Sequence, residues 1–538
     1  MKDTARPRVL GLETEYALIS KNTNNFLSDQ EFNGNFFLRL FPYSPYVLGQ
    51  YANVFLPNGA RVYIDTGEHP EYATPECQSA VSLITCDKAG QKMMERAEIF
   101  INECIKNPDS PVLPFNDQEF IDLRHKFKNR LDEKFYPVQI FRNNLSPHLN
   151  PAKENISWGS HENYMVSVDA EFPRIQNILT PFLISRQIYG GSGWLNPSKD
   201  NTAEFLYAQR PLVTCFQTSG TTTSARPIIN TKNEPLADQF KFRRLHLIMG
   251  DSNMSPWSSW LKIKATSMVL DIIEDGEFME SKSFSDLQKP VIVFKEISSD
   301  LDFSYQFLVD GKQHTALSLQ RMYLDLVCRY YLIDQRKEAD EETKNAIKLW
   351  QLALDTIETR KYSLLAPFFD NFAKLHIFET ILSKTGVSLK NSNRRQLRLG
   401  ADISKDLFSY LKHIDISYHH IYEKESIYSI FQKSKTCRDL KRHLSEKLPL
   451  LKRAIASDQE IENAMTEPPP GRAKWRKKVM DLGTIPNQIP PVEYMHINWD
   501  NCQVRYKDAE NISFSNSDPY CEMTDDLKRT LDRCQNQQ

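Results

Sequence analysis

The sequence predicts an α+β fold, with helices packed on one side of a sheet, from two features of its periodicity. The first 300 residues mix strand and helix patterns, whereas helical periodicity dominates from about residue 315 to 465. Elements segregated in this way are typical of α+β proteins, because α/β folds alternate strands and helices throughout. With 538 residues, the chain is long enough for a large core, arranged as two domains or as one large domain with an appendage.

Individual elements follow from local patterns. Strands are expected where short apolar or alternating runs occur, at 8–18, 60–66, 162–168, 201–209 and 290–296. Helices are expected where apolar residues recur at helical spacing, at 88–106, 171–188, 254–274, 316–333, 339–359 and 364–384. The charged stretch 115–135 and the polar stretch 385–410 have the composition of surface elaborations.

A domain boundary is predicted near residue 466. The run TEPPPGRAKWRKK, residues 466–478, carries three prolines that end a helix beginning near Asp458. We therefore read this run as a linker between a large domain, 1–466, and a small C-terminal domain, 467–538. Its basic part has one aromatic residue, Trp475, and so predicts a solvated or protein-docking face rather than a nucleic-acid arm.

Composition narrows the class of protein. Lys and Arg total 67 against 69 Asp and Glu, so no global field favours nucleic acid or an anionic membrane. The nine cysteines are scattered and never spaced C-x-x-C, which argues against a zinc site, a redox pair or a disulfide framework. No apolar run reaches membrane-spanning length. We therefore expect a cytoplasmic protein without nucleic-acid or membrane partners.

Acidic residues crowd the segment RVYIDTGEHPEYATPEC, residues 61–77, which otherwise has the pattern of a strand and its exit loop. Side chains alternate between the two faces of a strand, so Arg61, Tyr63 and Asp65 share one face. The loop then adds Glu68, His69, Glu71 and Glu76. Crowded carboxylates are tolerated when they are solvated, when one holds a proton, or when they share a cation.

A second acidic strand and two histidines favour the shared cation. Glu13 and Glu15 face the same way near the N-terminus, His161 precedes a hydrophobic strand, and His246 lies between two leucines. Taken singly, each strand fits an ordinary sheet with a wet face, and each histidine fits a hydrogen-bonded core or surface residue. Together, carboxylates and imidazoles without thiolates favour Mg²⁺ or Mn²⁺ over zinc.

Any nucleotide must bind on the sheet. The chain has no Walker A loop, and YGGSGW, residues 189–194, follows a helical pattern rather than the strand that a dinucleotide fingerprint requires. Arg226 stands at the start of an apolar strand, where a buried guanidinium needs an anion. That anion is a carboxylate by default, and a phosphate if the cation is present.

Several runs, taken in order, resemble the Pup ligase and Pup deamidase/depupylase family, which is related to glutamine synthetase and the γ-glutamylcysteine ligases. The runs are LGLETEYAL, NGARVYIDTGEHPEYATPEC, WGSHENYMV, RQIYGGSGW, ARPIINTKNEPLAD and FRRLHLIMGDSNMSPWSSWLKIKATSMVLDIIED. A weaker match continues to EYMHINWDN, so the resemblance covers nearly the whole chain.

This resemblance implies a glutamine-synthetase-like curved antiparallel sheet backed by helices, with ATP and Mg²⁺ on its concave face and a small C-terminal domain beside it. It implies Asp65 as the catalytic base. The implied metal ligands are Glu13, Tyr63 and Glu71, with Glu15, His161 and His246 as further candidates. The implied nucleotide contacts are Arg61, Thr74 and Arg226, with Tyr494 where the ligase carries a tryptophan.

The resemblance also implies the reaction. ATP converts the C-terminal glutamate γ-carboxylate of a small, disordered, acidic ubiquitin-like modifier to a γ-glutamyl phosphate. A lysine of a target protein then attacks it to form an isopeptide bond, in a pathway that leads to proteasomal degradation. Asp65 would attract the lysine ammonium and accept its proton.

Local features resemble the ligase branch more than the deamidase branch. Only about 40 residues separate Leu18 from Gly59, without the deamidase's long extra loop. Lys232, Asn233 and Leu236 depart from the family's usual Arg, Asp and His, which leaves the identity of the modifier open. The alternatives are a deamidase or depupylase of the same fold, a divergent enzyme acting on another carboxylate, and a non-catalytic adaptor for an acidic peptide.

Overall fold

A sheet of eight strands forms the centre of the computed structural model. The structure describes residues 6–20, 53–65, 69–106, 138–146, 156–197, 201–278, 284–389, 396–482, 492–507 and 511–535, so the stretch 115–135 lies outside the described residues. In spatial order, the strands are β10 (Phe216–Ser219), β11 (Pro227–Asn230), β12 (Phe242–Leu247), β7 (Ser160–Ser167), β1 (Leu10–Glu15), β5 (His69–Ala73), β4 (Arg61–Asp65) and β3 (Asn53–Phe55). Neighbouring strands are antiparallel except β10 and β11, which are parallel.

Smaller sheets surround the central one. They are formed by β2 (Ala17–Ser20) with β6 (Val138–Phe141), by β8 (Trp194–Pro197), β9 (Thr202–Leu206) and β15 (Gln396–Arg398), by β13 (Phe307–Val309) with β14 (Lys312–His314), and by β16 (Val492–Ile497), β17 (Asn501–Tyr506) and β18 (Asn511–Ser515). The last sheet belongs to the C-terminal part of the chain.

The described residues form fourteen α-helices, some of which back the apolar face of the central sheet. They are α1 (Ala80–Lys106), α2 (Phe172–Ser185), α3 (Gln187–Gly190), α4 (Pro256–Glu274), α5 (Pro290–Ser299), α6 (Ala316–Cys328), α7 (Glu341–Glu358), α8 (Asp370–Leu382), α9 (Lys405–Ser417), α10 (Ile427–Lys433), α11 (Lys435–Lys447), α12 (Asp458–Ala464), α13 (Arg472–Asp481) and α14 (Asp525–Gln535). Helices α1, α4 and α2 contact β1, β7 and β11. The predicted α+β architecture, with a large antiparallel sheet backed by helices, is confirmed.

The predicted strand at 290–296 is wrong, because these residues lie in α5. Pro290 occupies the first turn of the helix, where proline leaves no hydrogen bond unmade. Val293, Phe294 and Ile297 then share one buried face at helical spacing. A short β-branched run such as VIVF fits a strand and a buried helix equally well until its neighbours are known.

The predicted exit loop after residue 66 is also wrong. Residues His69–Ala73 form β5, which pairs with β4 on one side and β1 on the other. The acid-rich segment is therefore a hairpin within the sheet, between β1 and β3, and Glu71 lies opposite both Tyr63 and Glu15.

Two further predictions fail because long-range contacts cover polar sequence. Helix α13 occupies part of the expected linker 466–478. Its Arg472 and Arg476 are buried, which excludes the solvated face for these two residues and leaves the protein-docking alternative. Part of the expected surface stretch 385–410 also belongs to the core, since β15 pairs with β9 and Leu397 is 1% exposed.

The C-terminal unit, defined as α13, β16–β18 and α14, has its own apolar cluster around Trp475, Val504 and Phe514. It packs closely on the turn between β3 and β4. Gly59 in that turn has φ +79°, and a Cβ there would lie 2.7 Å from the Cβ of Ala473. The domain boundary near residue 466 stays a prediction.

Among the described residues, no helix combines the length and apolar composition needed to cross a bilayer. The cysteines described at positions 77, 86, 215, 328, 437, 502 and 521 are free thiols.

One buried ion cluster joins the C-terminal unit to the central sheet. Glu76, just beyond β5, accepts hydrogen bonds from Arg472 Nε and Arg476 Nη1, both at 2.9 Å. Burial opposes ionisation of Glu76, but the two guanidinium groups outweigh it and lower its pKa to about 2. This carboxylate explains why the basic helix is buried.

We expect Glu76→Gln to lower the free energy of unfolding by about 3 kcal/mol at pH 7, because it leaves two buried guanidinium groups without their anion. The pKa of Glu76 is about 2 in the folded state and near 4.5 when unperturbed. The carboxylate therefore stabilises the fold above about pH 4.5, and this contribution is lost as the pH falls toward 2. Urea unfolding measured between pH 7 and pH 3 should show the two proteins converging at the acid end.

Glu467→Gln is the matched control, because Glu467 pairs with Lys477 of the same helix but is 66% exposed. We expect a change below about 1 kcal/mol for this surface pair. Equal effects of the two substitutions would contradict the role given to Glu76.

Candidate active site

A cleft of about 890 Å³ lies on the polar face of the central sheet. Strands β1, β4, β5, β7 and β12 contribute one wall, and the C-terminal unit contributes Arg472, His496, Asn498 and Trp499. The segments 220–224 and 234–237 also line it, together with Asn230 and Lys232. Of the predicted site residues, the cleft is lined by Glu13, Arg61, Tyr63, Asp65, Glu71, Thr74, His161 and His246.

The first group of ligand side chains, called the histidine set, consists of Glu13, His161 and His246. Strand pairing brings it together, because Glu13 on β1 lies directly opposite His161 on β7, and β12 supplies His246 on the far side of β7. Glu13 Oε2 lies 3.2 Å from His161 Nδ1 and 3.5 Å from His246 Nε2. One donor atom from each residue falls within 4.8 Å of the others.

Glu13 is ionised in this environment. Burial disfavours its charge, but the Arg244 guanidinium at 2.8 Å and the two imidazoles outweigh burial and hold the pKa of Glu13 well below its usual value. Burial lowers the pKa of His246 to about 4, so its ring is neutral at pH 7. A carboxylate beside a neutral imidazole is a suitable pair of cation ligands.

The second group, called the carboxylate set, consists of Glu15, Asp65 and Glu71. These residues come from three adjacent strands, and one oxygen from each lies within 4.8 Å of the others. Burial, followed by the charges of Glu13 and Glu15, raises the pKa of Glu71 well above its usual value. Without a counter-charge, the set therefore keeps a proton on Glu71.

Tyr63 and Arg61 extend the carboxylate set along β4. Burial and the neighbouring Glu71 raise the pKa of Tyr63 well above 10, so the phenol stays protonated. The guanidinium of Arg61 lies 4.3 Å from the centre of the Tyr63 ring, and its Nε donates to Asn53 Oδ1. Burial lowers the pKa of Arg61, which leaves an incompletely compensated cation in the cleft wall.

Glu15 is the predicted metal ligand that does not line the cleft. It is 7% exposed. His69, opposite Asp65 in the β4–β5 hairpin, contacts Glu15 Oε2 through Nδ1 at 2.9 Å. Burial opposes ionisation of Glu15, but this contact and the nearby His161 lower its pKa. His69 thus fixes the orientation of one member of the carboxylate set.

The residues present fit hard divalent cations. Both sets offer oxygen and imidazole donors without a thiolate, which suits Mg²⁺ or Mn²⁺. Among the described residues, His246 Nε2 has no hydrogen-bond partner although it is buried. A cation would also relieve the repulsion that keeps Glu71 protonated.

Three predicted nucleotide contacts have different surroundings. The Thr74 hydroxyl lines the cleft but accepts a hydrogen bond from the Leu12 backbone N–H at 3.0 Å, which ties the end of β5 to β1. Arg226 is half-buried, with φ +39°, just before β11, and is not part of the lining. Tyr494 is also outside the lining, and its ring lies 5.8 Å from the Arg505 guanidinium.

Sequence reasoning missed Arg244 and Trp499. Arg244 donates to Glu13 and, at 2.6 Å, to Asn163. The sequence could have indicated Arg244, because it lies two residues before His246 and strand alternation places both side chains on one face of β12. Trp499, rather than Tyr494, is the aromatic residue that the C-terminal unit presents to the cleft. The Arg476 guanidinium lies 4.9 Å from its ring, a contact that no local pattern reveals.

Comparisons with known proteins give the family. The model described as Pup-ligase protein matches residues 8–503. The Pup--protein ligase of Mycolicibacterium gilvum (strain PYR-GCK) is 30% identical over 529 residues, which cover 97% of this chain and 99% of that protein. The Pup--protein ligase of Mycolicibacterium smegmatis (strain ATCC 700084 / mc(2)155) matches to the same extent, at 30% over 529 residues.

Solved structures show the same fold. The complex of the prokaryotic ubiquitin-like protein Pup with its ligase PafA matches with a TM-score of 0.74 and 24% identity, covering 98% of this chain and 93% of that one. The Pup ligase PafA in complex with ADP matches with a TM-score of 0.68 over 90% of each chain. Since the family model spans nearly the whole length and relatives at 30% identity cover 97% of the chain, this protein belongs to the Pup ligase family.

Proposed function

We propose that this protein is an ATP- and Mg²⁺-dependent ligase that joins the C-terminal glutamate of a small Pup-like modifier to lysines of target proteins. The observation that carries the proposal is the convergence of the histidine set and the carboxylate set in one cleft, with Asp65 in the second set. The name of the curated relatives and the PafA complexes with Pup and with ADP support it.

The first step activates a carboxylate, because a carboxylate does not acylate an amine in water. An oxygen of the modifier's γ-carboxylate attacks the γ-phosphorus of ATP, the bond to the bridging oxygen breaks, and ADP leaves. Charge alignment matters more than covalent help in such a transfer. Arg61 and Arg244 supply fixed positive charge on the cleft wall. The resemblance implies a γ-phosphate contact for Arg226, which lies outside the cleft lining, so that role stays a prediction.

Bound Mg²⁺ would supply neutralisation of the phosphate charge, and the residues that would hold it are the histidine set together with Glu15, Glu71 and Tyr63. Asp65 is assigned to the second step instead. The chain's own contribution is orientation. His69 fixes Glu15, and Arg244 fixes Glu13, so both carboxylates are held before substrate binds.

The second step forms the isopeptide bond. The lysine nitrogen attacks the acyl carbon, the bond to the phosphate oxygen breaks, and the nitrogen loses a proton. With a reference pKa near 10.4, deprotonating lysine at pH 7 costs about 4 to 5 kcal/mol. We assign the proton to Asp65, whose carboxylate in the acidic wall also attracts the incoming ammonium.

We also propose a cytoplasmic location, supported by the free thiols among the described cysteines. The C-terminal unit is proposed to be the small domain that closes one side of the nucleotide site, since Arg472, Asn498 and Trp499 line the cleft.

We expect Asp65→Asn to slow conjugation by about 10²- to 10⁴-fold, because the amide cannot accept the lysine proton. Affinity for Mg·ATP should change less than about threefold. Gel assays with a Glu-ending modifier and a lysine-bearing target measure the first quantity, and calorimetric titration measures the second. Asp439→Asn is the control, since Asp439 is 51% exposed on α11 and outside the cleft lining.

Near-normal conjugation by the Asp65→Asn variant would contradict the base role. Release of free modifier from a conjugate by the unaltered protein, without net ATP consumption, would instead favour a deamidase.

We expect Glu13→Gln to weaken Mn²⁺ binding in the presence of nucleotide by at least about 10-fold, because it removes the charged member of the histidine set. Mn²⁺ electron paramagnetic resonance measures the free ion directly. Glu277→Gln, on an 80% exposed carboxylate, should bind Mn²⁺ like the unaltered protein. Equal Mn²⁺ affinity in the two variants would remove Glu13 from the cation site.

We expect Trp499→Ala to weaken nucleotide binding by about 5- to 100-fold, the range of one lost base–aromatic stack. Tyr494→Ala should change it less than about threefold, because its ring points to Arg505 rather than to the cleft. A fluorescent ATP analogue titrated into each variant measures both. The reverse order of effects would return the stacking role to Tyr494.

A further inference from the structure

Asn230 carries an unpaired hydrogen-bond donor at the cleft wall. The residue ends β11, lines the cleft and is 2% exposed. Its Nδ2 has no hydrogen-bond partner among the described residues. Buried side-chain amides are almost always paired, so an unpaired one beside a cleft indicates an acceptor that lies outside the described residues, as a bound substrate would.

The orientation of this amide is determined by the backbone. Asn230 Oδ1 lies 2.7 Å from the backbone nitrogen of Lys232. A backbone N–H can only donate, so the oxygen of the amide must face Lys232. The NH₂ group must therefore face away from that turn, and it cannot exchange places with the oxygen without losing the bond.

The neighbours of Asn230 indicate the chemistry of the missing acceptor. Asn230 lies directly opposite His246 in the β11–β12 pairing, so it borders the histidine set. Arg244 and Lys232 also line this part of the cleft, and so does Glu234, whose carboxylate pairs with Lys232 at 2.9 Å. Glu13 is already bonded to Arg244 and His161. A donor placed beside cations and a cation-binding set suits an anionic oxygen of a bound substrate.

We propose that Asn230 Nδ2 donates a hydrogen bond to an anionic substrate oxygen during the ligation reaction. Resting on the proposed function, this inference adds Asn230 to the residues that touch substrate. The oxygen can belong to a phosphoryl group of ATP or to the terminal carboxylate of the modifier. The position opposite His246 favours the phosphoryl group, because a cation held by the histidine set would draw phosphoryl oxygens to that end of β11.

Two substitutions separate substrate binding from a structural role. Asn230→Asp keeps the oxygen that accepts from Lys232 but replaces the donor by a second oxygen. Asn230→Ala removes both groups. Loss of one hydrogen bond to a charged oxygen corresponds to about a 10- to 100-fold loss of affinity, which we expect in both variants. The melting temperature of the Asn230→Asp variant should stay close to that of the unaltered protein.

Two measurements identify which substrate oxygen accepts the hydrogen bond from Asn230. Weakened binding of Mg·ATP in the absence of modifier would assign the bond to a phosphoryl oxygen. A raised KM for the modifier at saturating ATP, with unchanged ATP binding, would assign it to the carboxylate. Impairment of Asn230→Ala alone would show that the amide only holds the turn, and normal behaviour of both variants would show that a water satisfies Nδ2. Either result overturns the proposal.

Asn511→Asp makes the same chemical change at an exposed position of β18 and should behave like the unaltered protein. The unaltered protein also distinguishes a failure of the Asn230 role from a failure of the proposed ligase function. If it binds Mg·ATP and forms conjugates while both Asn230 variants do the same, only the role of Asn230 fails. If it forms no conjugates, the proposed function itself fails.

Discussion

The hydrogen-bond register of β1 is the constraint on which the cleft depends. This strand lies between β7 and β5, and the pairing places Glu13 opposite His161 and Glu15 opposite Glu71. A slip of one residue would turn both glutamates toward the helices, because side chains alternate between the faces of a strand. The apolar residues of β1, such as Leu10 and Leu12, prevent the slip, since they are buried against the core. The core thus determines where the acids point.

The cleft collects like charges that an ordinary sheet would separate. Glu13 stays ionised because Arg244 and two histidines surround it, whereas Glu71 is held protonated by burial and by its acidic neighbours. The two sets therefore limit their repulsion in different ways, one through protein cations and one through a retained proton. A divalent ion can replace that proton, which couples cation binding to proton release. The opposite end of the sheet, at β11 and β12, presents donors rather than acids, so a polyanion bound across the strands meets cation ligands and hydrogen-bond donors together.

The C-terminal unit reaches this cleft through charges that the sequence places on a helix. Arg472 and Arg476 can be buried because both pair with the carboxylate of Glu76, just beyond β5. Arg476 also donates to the carbonyl of Trp499 and lies beneath its ring. The same ion cluster that attaches the unit therefore also positions Trp499 in the cleft lining.

The sequence by itself determined the features that depend on neighbours along the chain. Alternation alone placed Arg61, Tyr63 and Asp65 on one face, and the donor types alone indicated hard cations, because both are local properties. The tertiary structure decided which strands are adjacent, and so divided the ligands into two sets and moved Glu71 from an expected loop into the sheet. Glu13 and Arg244, which are 231 positions apart, illustrate the reason, since no local pattern encodes their contact. The burial of the basic helix and the presence of Trp499 rather than Tyr494 in the cleft lining have the same origin, because both depend on residues that only folding brings into contact.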